Sequence, residues 1–141
     1  MKIGFLTDVN GYRAPIHPES IEKYSLDVHL EKNIFDYLNY ADSSQDNVKN
    51  ISNLSDLDIV ACVENIQDKT IKELKEGAVL IGIFDFDKIE EIKSLRPDIK
   101  VLSFFKLPRI SRAQNLDALS SQANLLGYAS VLRAAKETSD V

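Results

Sequence analysis

Tryptophan is absent from this chain, and cysteine and methionine occur once each. A single thiol, Cys62, excludes an internal disulfide and suits a reducing compartment. Histidine is scarce too. His17 and His29 have no Cys or His partner at metal-ligand spacing, which excludes a Cys/His zinc site and leaves both as structural or exposed residues. The five glycines are nowhere set out as G-x-G-x-x-G, so the glycine turn that cradles a dinucleotide pyrophosphate is missing. No apolar run nears the ~20 residues of a membrane helix, so no direct membrane span is expected. The opening Met-Lys-Ile-Gly-Phe-Leu run is broken by Asp8 and is too short for a signal peptide. Basic clusters are lacking as well. With a formal net charge of −5 the chain repels a phosphate backbone, and nucleic acid is excluded as a partner. What remains is a chain of 141 residues, 44% hydrophobic and 28% charged, which fits one globular domain with a real core.

Short apolar runs alternate with helical patterns. Lys2 to Leu6 reads as a buried strand ending at Thr7-Asp8, and Val9 to Pro18 reads as loop. Pro18-Glu19-Ser20 starts a helix, with proline near its first position and an acid in its first turn. Leu26 to Leu30 alternates, as a strand near an edge does. Ile34, Tyr37 and Leu38 mark a second helix, and the polar stretch Asp42 to Asn53 reads as a surface loop. Strands follow at Asp58 to Val63, Gly77 to Phe84 and Ile99 to Phe105, separated by helices at Asp68 to Lys75 and Lys88 to Leu95. The expected fold is a mostly parallel, doubly wound α/β sheet of about five strands, Rossmann-like or flavodoxin-like. In such sheets ligands sit beyond the carboxyl ends of the strands, here Asp8, Glu64, Asp85 and the segment after Phe105. Residues 1–115 form this sheet domain, and 116–138 form a long helix. Leu119, Ala123, Leu126, Gly127, Val131, Ala134 and Ala135 recur along that helix at helical spacing. Gly127, with Ala123 and Ala134, reads as a site of close packing.

One segment is specific. Pro108-Arg-Ile-Ser-Arg-Ala-Gln-Asn-Leu-Asp-Ala-Leu-Ser-Ser-Gln-Ala-Asn-Leu-Leu-Gly-Tyr-Ala-Ser-Val-Leu-Arg-Ala-Ala135 closely resembles the loop and helix joining the two halves of the alpha subunit of NAD(P) transhydrogenase. Lys2-Ile3-Gly4, Arg13-Ala14 with Pro18, and Leu57-Asp58-Ile59-Val60 are similar to the opening strand, early loop and third strand of that family. Between about Asp27 and Lys100 the likeness is one of layout. The related alanine dehydrogenase domain implies a lysine and a histidine near the places of Cys62 and Asp85, and this chain has neither.

The resemblance implies that the 108–120 loop reaches the nicotinamide ring of NAD(H), with Arg109, Gln114 and Asp117 as working residues and Ser120 as a further cofactor contact. Hydride passes directly between two nicotinamide rings, so the protein has to orient the rings and exclude water. Gln114 can donate to and accept from a carboxamide. Arg109 offers a planar fork to a pyrophosphate or carboxylate. Asp117 can hold Arg109 or receive a ribose hydroxyl. Each has a plainer reading: Asp117 as a helix cap, Arg109 and Arg112 as solvated surface charges, Gln114 as a partner for loop backbone. Asp85 and Asp87 read as a solvated loop, and Cys62 as a core residue.

The resemblance further implies a second domain that grips most of the NAD(H), NADP(H) on a partner subunit, pairing as a homodimer, and a cytoplasmic place peripheral to the inner membrane. On that reading the chain belongs to a proton-translocating hydride-transfer enzyme and is incomplete alone. The alternative is a stand-alone nucleotide-sensing or subunit-docking module without catalysis. A phospho-receiver is disfavoured, because strand one lacks a paired acid and Glu64 stands where an Asp is needed.

Overall fold

The computed structural model describes residues 1–8, 13–21, 27–32, 34, 48–107 and 118–139. The chain divides into two compact units, Met1–Ser103 and Phe104–Val141.

The first unit is built on a sheet. Its elements are β1 (Lys2–Phe5), α1 (Pro18–Ile21), β2 (Asp27–Leu30), β3 (Val48–Asn50), β4 (Ile59–Ala61), α2 (Asp68–Glu73), β5 (Val79–Gly82), α3 (Phe86–Leu95) and β6 (Lys100–Ser103). The strand order is β3-β2-β1-β4-β5-β6, and every pair is parallel. The chain starts at the middle of the sheet, runs outward through β2 and β3, then returns beyond β1 to lay down β4, β5 and β6. This is the Rossmann order, and its switch point lies between β1 and β4.

Among the described residues the sheet has six strands, one more than the apolar runs predict. The extra strand is β3, inside the polar stretch expected to be loop. Val48, Lys49 and Asn50 pair with Val28, His29 and Leu30. A three-residue edge strand is held by backbone pairing on one side and needs no apolar run to announce it. The second helix expected after β2 lies outside the described residues, except for Ile34, which is buried.

Register assigns the two faces. Gly4, Val60, Leu80 and Val101 lie in one row across the sheet. Val60 and Leu80 point into a core with Ile71 and Leu74 of the α2 region and with Ile89 and Ile92 of α3. The neighbouring row holds Ile3, Val28, Ile59 and Val79. Successive strand residues face opposite sides, so Val28 belongs to the other face. There it packs in a second cluster with Ile21, Leu30 and Ile34. Helices therefore cover both faces, as a parallel sheet requires.

Two glycines have local reasons. Gly77 holds φ at 70°, in the left-handed region, between α2 and β5. A Cβ on Gly82 would meet the Phe84 ring at 2.5 Å and the Cys62 carbonyl at 3.1 Å. The absence of a side chain on Gly82 lets Phe84 fold back into the core, where it is fully buried.

The second unit contains a short 3₁₀ turn, Phe104–Lys106, and the long helix α4 (Ala118–Ser139). At 22 residues, α4 runs roughly 33 Å. Among the described residues, a Cβ on Gly127 would meet no atom within 4 Å. Ala123 and the stretch from Leu125 to Arg133 are exposed among the described residues. No helix among the described residues is long and apolar enough to cross a membrane.

Candidate functional site

The switch point gathers polar side chains at the carboxyl ends of β1, β2 and β4. Beyond β1, Asp8 is 3% exposed. Its backbone N–H donates to the Arg13 carbonyl at 2.9 Å, which closes the loop back onto the strand end. Arg13 Nε and Nη2 both donate to Asp8 Oδ2, at 3.1 and 2.7 Å, and Nη2 also donates to Glu64 Oε2 at 2.7 Å. One guanidinium thus ties the end of β1 to the end of β4. Hydrogen bonds to Glu64 and Asp8 raise the Arg13 pKa further. Both Arg13 bonds to Asp8 fall on Oδ2, and Asp8 Oδ1 has no hydrogen-bond partner among the described residues.

Beyond β2, Glu31 Oε2 accepts from Thr7 N at 2.7 Å and from Thr7 Oγ1 at 2.6 Å. Thr7, Asp8 and Glu31 border a cleft of about 400 Å³. Its lining includes Thr7, Asp8, Glu31, Cys62, Asn65 and Gln67. Cys62 is buried, and burial, followed by the charge of Asp8, pushes its thiol up to about 12. It remains a protonated core residue, not a nucleophile.

The other acids named from the sequence have structural work. Asp85 caps α3, with its Oδ1 accepting from Lys88 N at 2.8 Å. Asp87 lies in the first turn of the same helix. His29 Nε2 lies 3.2 Å from Asp27 Oδ1. No three His, Cys, Asp or Glu side chains converge as metal ligands among the described residues.

The loop residues Arg109, Gln114 and Asp117 lie outside the described residues, and Ser120 falls in the first turn of α4. The sheet unit itself can be tested against a dinucleotide. Pyrophosphate needs a helix start with free N–H groups and a close glycine turn. Here α3 starts under the Asp85 carboxylate, with Asp87 behind it, and the six-residue α2 carries Asp68 in its first turn. Those helix starts repel a pyrophosphate.

In the sequence, Asp8 and Glu64 stand at strand ends and Arg13 in a motif, whereas Glu31, Asn65 and Gln67 belong to no motif. The signal for Glu31 was its place directly after an alternating strand.

No family model matches the chain. Curated relatives do. The chain is 49% identical over 72 residues to the NAD(P) transhydrogenase subunit alpha of Haemophilus influenzae, a match spanning 50% of this chain and 14% of that one. It is 33% identical over 140 residues to the first part of NAD(P) transhydrogenase subunit alpha of Rickettsia prowazekii, spanning 89% of this chain and 37% of the relative. The crystal structure of transhydrogenase from Sinorhizobium meliloti superposes with a TM-score of 0.78 at 29% identity, covering 97% of this chain and 45% of that chain. The chain therefore spans less than half the length of these relatives. The class is a doubly wound parallel α/β domain of transhydrogenase type. More particularly, the chain corresponds to the N-terminal domain of the NAD(P) transhydrogenase alpha subunit.

Proposed function

We propose that this domain serves the NAD(H) side of a proton-translocating transhydrogenase and presents the 108–120 loop to the nicotinamide end. The observation that carries the reading is the 33% identity over 140 residues to a transhydrogenase alpha-subunit chain, together with the unbroken 108–135 motif. In this reading α4 leads from the sheet domain into a second domain that grips the rest of the dinucleotide. NADP(H) sits on a partner subunit, and the alpha subunits pair. The dinucleotide, when bound, supplies the hydride. The protein's role is to orient the ring and exclude water: Gln114 fixes which way the carboxamide faces, while Arg109, Asp117 and Ser120 hold the adjoining polar groups. The acidic helix starts of the sheet unit support a division of labour in which pyrophosphate is bound elsewhere.

The test is turnover after adding a separately made second domain and the NADP-binding subunit. Deuterium carried on C4 of NADH should appear on NADP. Gln114→Ala should lower that rate on the order of 10–100-fold with little change in NADH affinity, because it loosens ring orientation. A rate unaffected by Gln114→Ala would reject the loop's role.

A docking module without catalysis is the second reading. It is favoured by the exposed apolar side chains of Leu125, Tyr128, Val131 and Leu132 on α4. Turnover in the reconstituted mixture would reject it.

A further inference from the structure

The parallel pairing of β5 with β6 ends at Gly82 and Ser103. On its other side β5 stays paired a step further, where Ile83 N donates to Val63 O at 2.7 Å. The backbone of β6 offers no such step, because residues 104–106 form a 3₁₀ turn. Phe84 is fully buried, so its N–H and C=O need partners on the β6 side. One hydroxyl supplies both. Phe84 N donates to Ser103 Oγ at 2.9 Å, and Ser103 Oγ donates to Phe84 O at 2.6 Å. The Ser103 side chain thus stands in for the next backbone step of β6. The chain can leave the sheet at this residue without leaving Phe84 unpaired.

What leaves the sheet there is the segment to which the proposed function assigns the nicotinamide end. Pro108, where the motif opens, follows five positions after Ser103. The lead between them is short and hydrogen-bonded, with Leu107 N donating to Phe104 O at 3.2 Å. The turn also lies beside α4, so the two ends of the 108–117 stretch are tied together within the second unit. A stiff lead passes a displacement at its root to whatever it carries, and hydride transfer between two rings tolerates little displacement. We infer that Ser103 is a positioning residue for hydride transfer: its hydroxyl, bonded to both backbone groups of Phe84, fixes the point from which the 108–120 loop is launched. The inference rests on the transhydrogenase reading of that loop. Threonine keeps the hydroxyl and suits a strand, whereas alanine leaves two buried backbone groups without partners.

The test is deuterium transfer from NADH to NADP in the mixture of this chain, a separately made second domain and the NADP-binding subunit. NADH is varied, and each rate is expressed per folded chain, counted from the nitrogen-15 amide spectrum. Ser103→Ala should lower the rate at saturating NADH about tenfold and leave the half-saturating NADH concentration within about twofold, because orientation is lost and uniform binding is not. Ser103→Thr should restore the parent rate to within about twofold. A serine with only a structural role would change the amount of folded chain and not the rate per folded chain. If Ser103→Ala does not fold, Ser103→Cys decides, since its weakly bonding thiol should slow saturated transfer about threefold. The inference is overturned if the deciding variant keeps the parent rate, if its loss appears only as a raised half-saturating concentration, or if Ser103→Thr is as slow as that variant. Gln114→Ala, run alongside, separates the two claims. A slow Gln114→Ala beside a parent-rate Ser103→Ala overturns the positioning role alone, whereas a parent-rate Gln114→Ala overturns the loop's role and this inference with it.

Discussion

At the scale of single residues, three positions carry predictions. Gly82→Ala forces a methyl against the Phe84 ring and the Cys62 carbonyl, and should cost about 1–3 kcal/mol in denaturant unfolding, the usual range for overpacking a core. Cys62 should be inert to a thiol reagent at mildly alkaline pH until the protein is unfolded. Its folded pKa of about 12 lies above that of a free thiol, so its contribution to stability is full below about pH 8.5 and is lost as the pH rises toward the folded value. Asp98 acts in the opposite sense. Arg96 Nη2 donates to its Oδ2 at 2.8 Å and Gly77 N donates to the same oxygen at 3.0 Å, holding its carboxyl well below the usual range. Its contribution is present above about pH 4 and falls away in acid, so Asp98→Asn should lower stability at neutral pH, change it little in acid, and thereby flatten the acid limb of a stability–pH profile. Arg96 belongs to the same unit. Its Nη1 donates to the Lys72 and Leu74 carbonyls at 3.0 and 2.9 Å, closing the carboxyl end of α2.

At the scale of elements, the helix ends give the clearest distinctions. Asp85→Ala removes the side-chain cap of α3 and should cost about 1 kcal/mol, whereas Asp85→Asn should be nearly neutral because asparagine caps equally well. A functional carboxylate at that position would not tolerate the amide. Gly127→Ala should stabilise α4 by about 1 kcal/mol, read by thermal unfolding, since nothing surrounds the added methyl. If the same variant then fails to pair or to join a second domain, the glycine serves an intermolecular contact. Leu125, Tyr128, Val131 and Leu132 are between 54% and 69% exposed and fall within about a third of the helix circumference. Exposed apolar stripes of this kind commonly mark contact surfaces.

These elements also explain what was legible beforehand. Continuous apolar runs revealed β1, β4 and β5 because both faces of a parallel sheet are buried, and the spacing of Ile89 and Ile92 revealed α3. Val48-Lys49-Asn50 was illegible because an edge strand carries its information in the backbone. The 108–135 motif was legible because its letters are specific in themselves, whereas the contacts of its loop lie outside the described residues. The Asp8–Arg13–Glu64 cluster was half legible. Each residue sits at a recognisable strand end or loop, but the bridge from Arg13 to Glu64 spans 51 positions and follows only from the strand order.

At the scale of the whole molecule, the proposed function rests on a division of labour. The sheet unit places acids where a phosphate-binding domain would place glycines and bare helix starts. The specific sequence lies in the segment after the last strand. In the proposed function such a domain contributes one loop to a shared site and depends on a second domain for cofactor affinity. The most direct measurement is a titration of NADH, with NADPH as control, into the nitrogen-15-labelled chain mixed with a separately made second domain. A loop that reads the nicotinamide end should give selective shifts with NADH across Arg109 to Ser121 and none with NADPH. NADH bound in that mixture without any shift between Arg109 and Ser121 would refute the loop's role at the shared site.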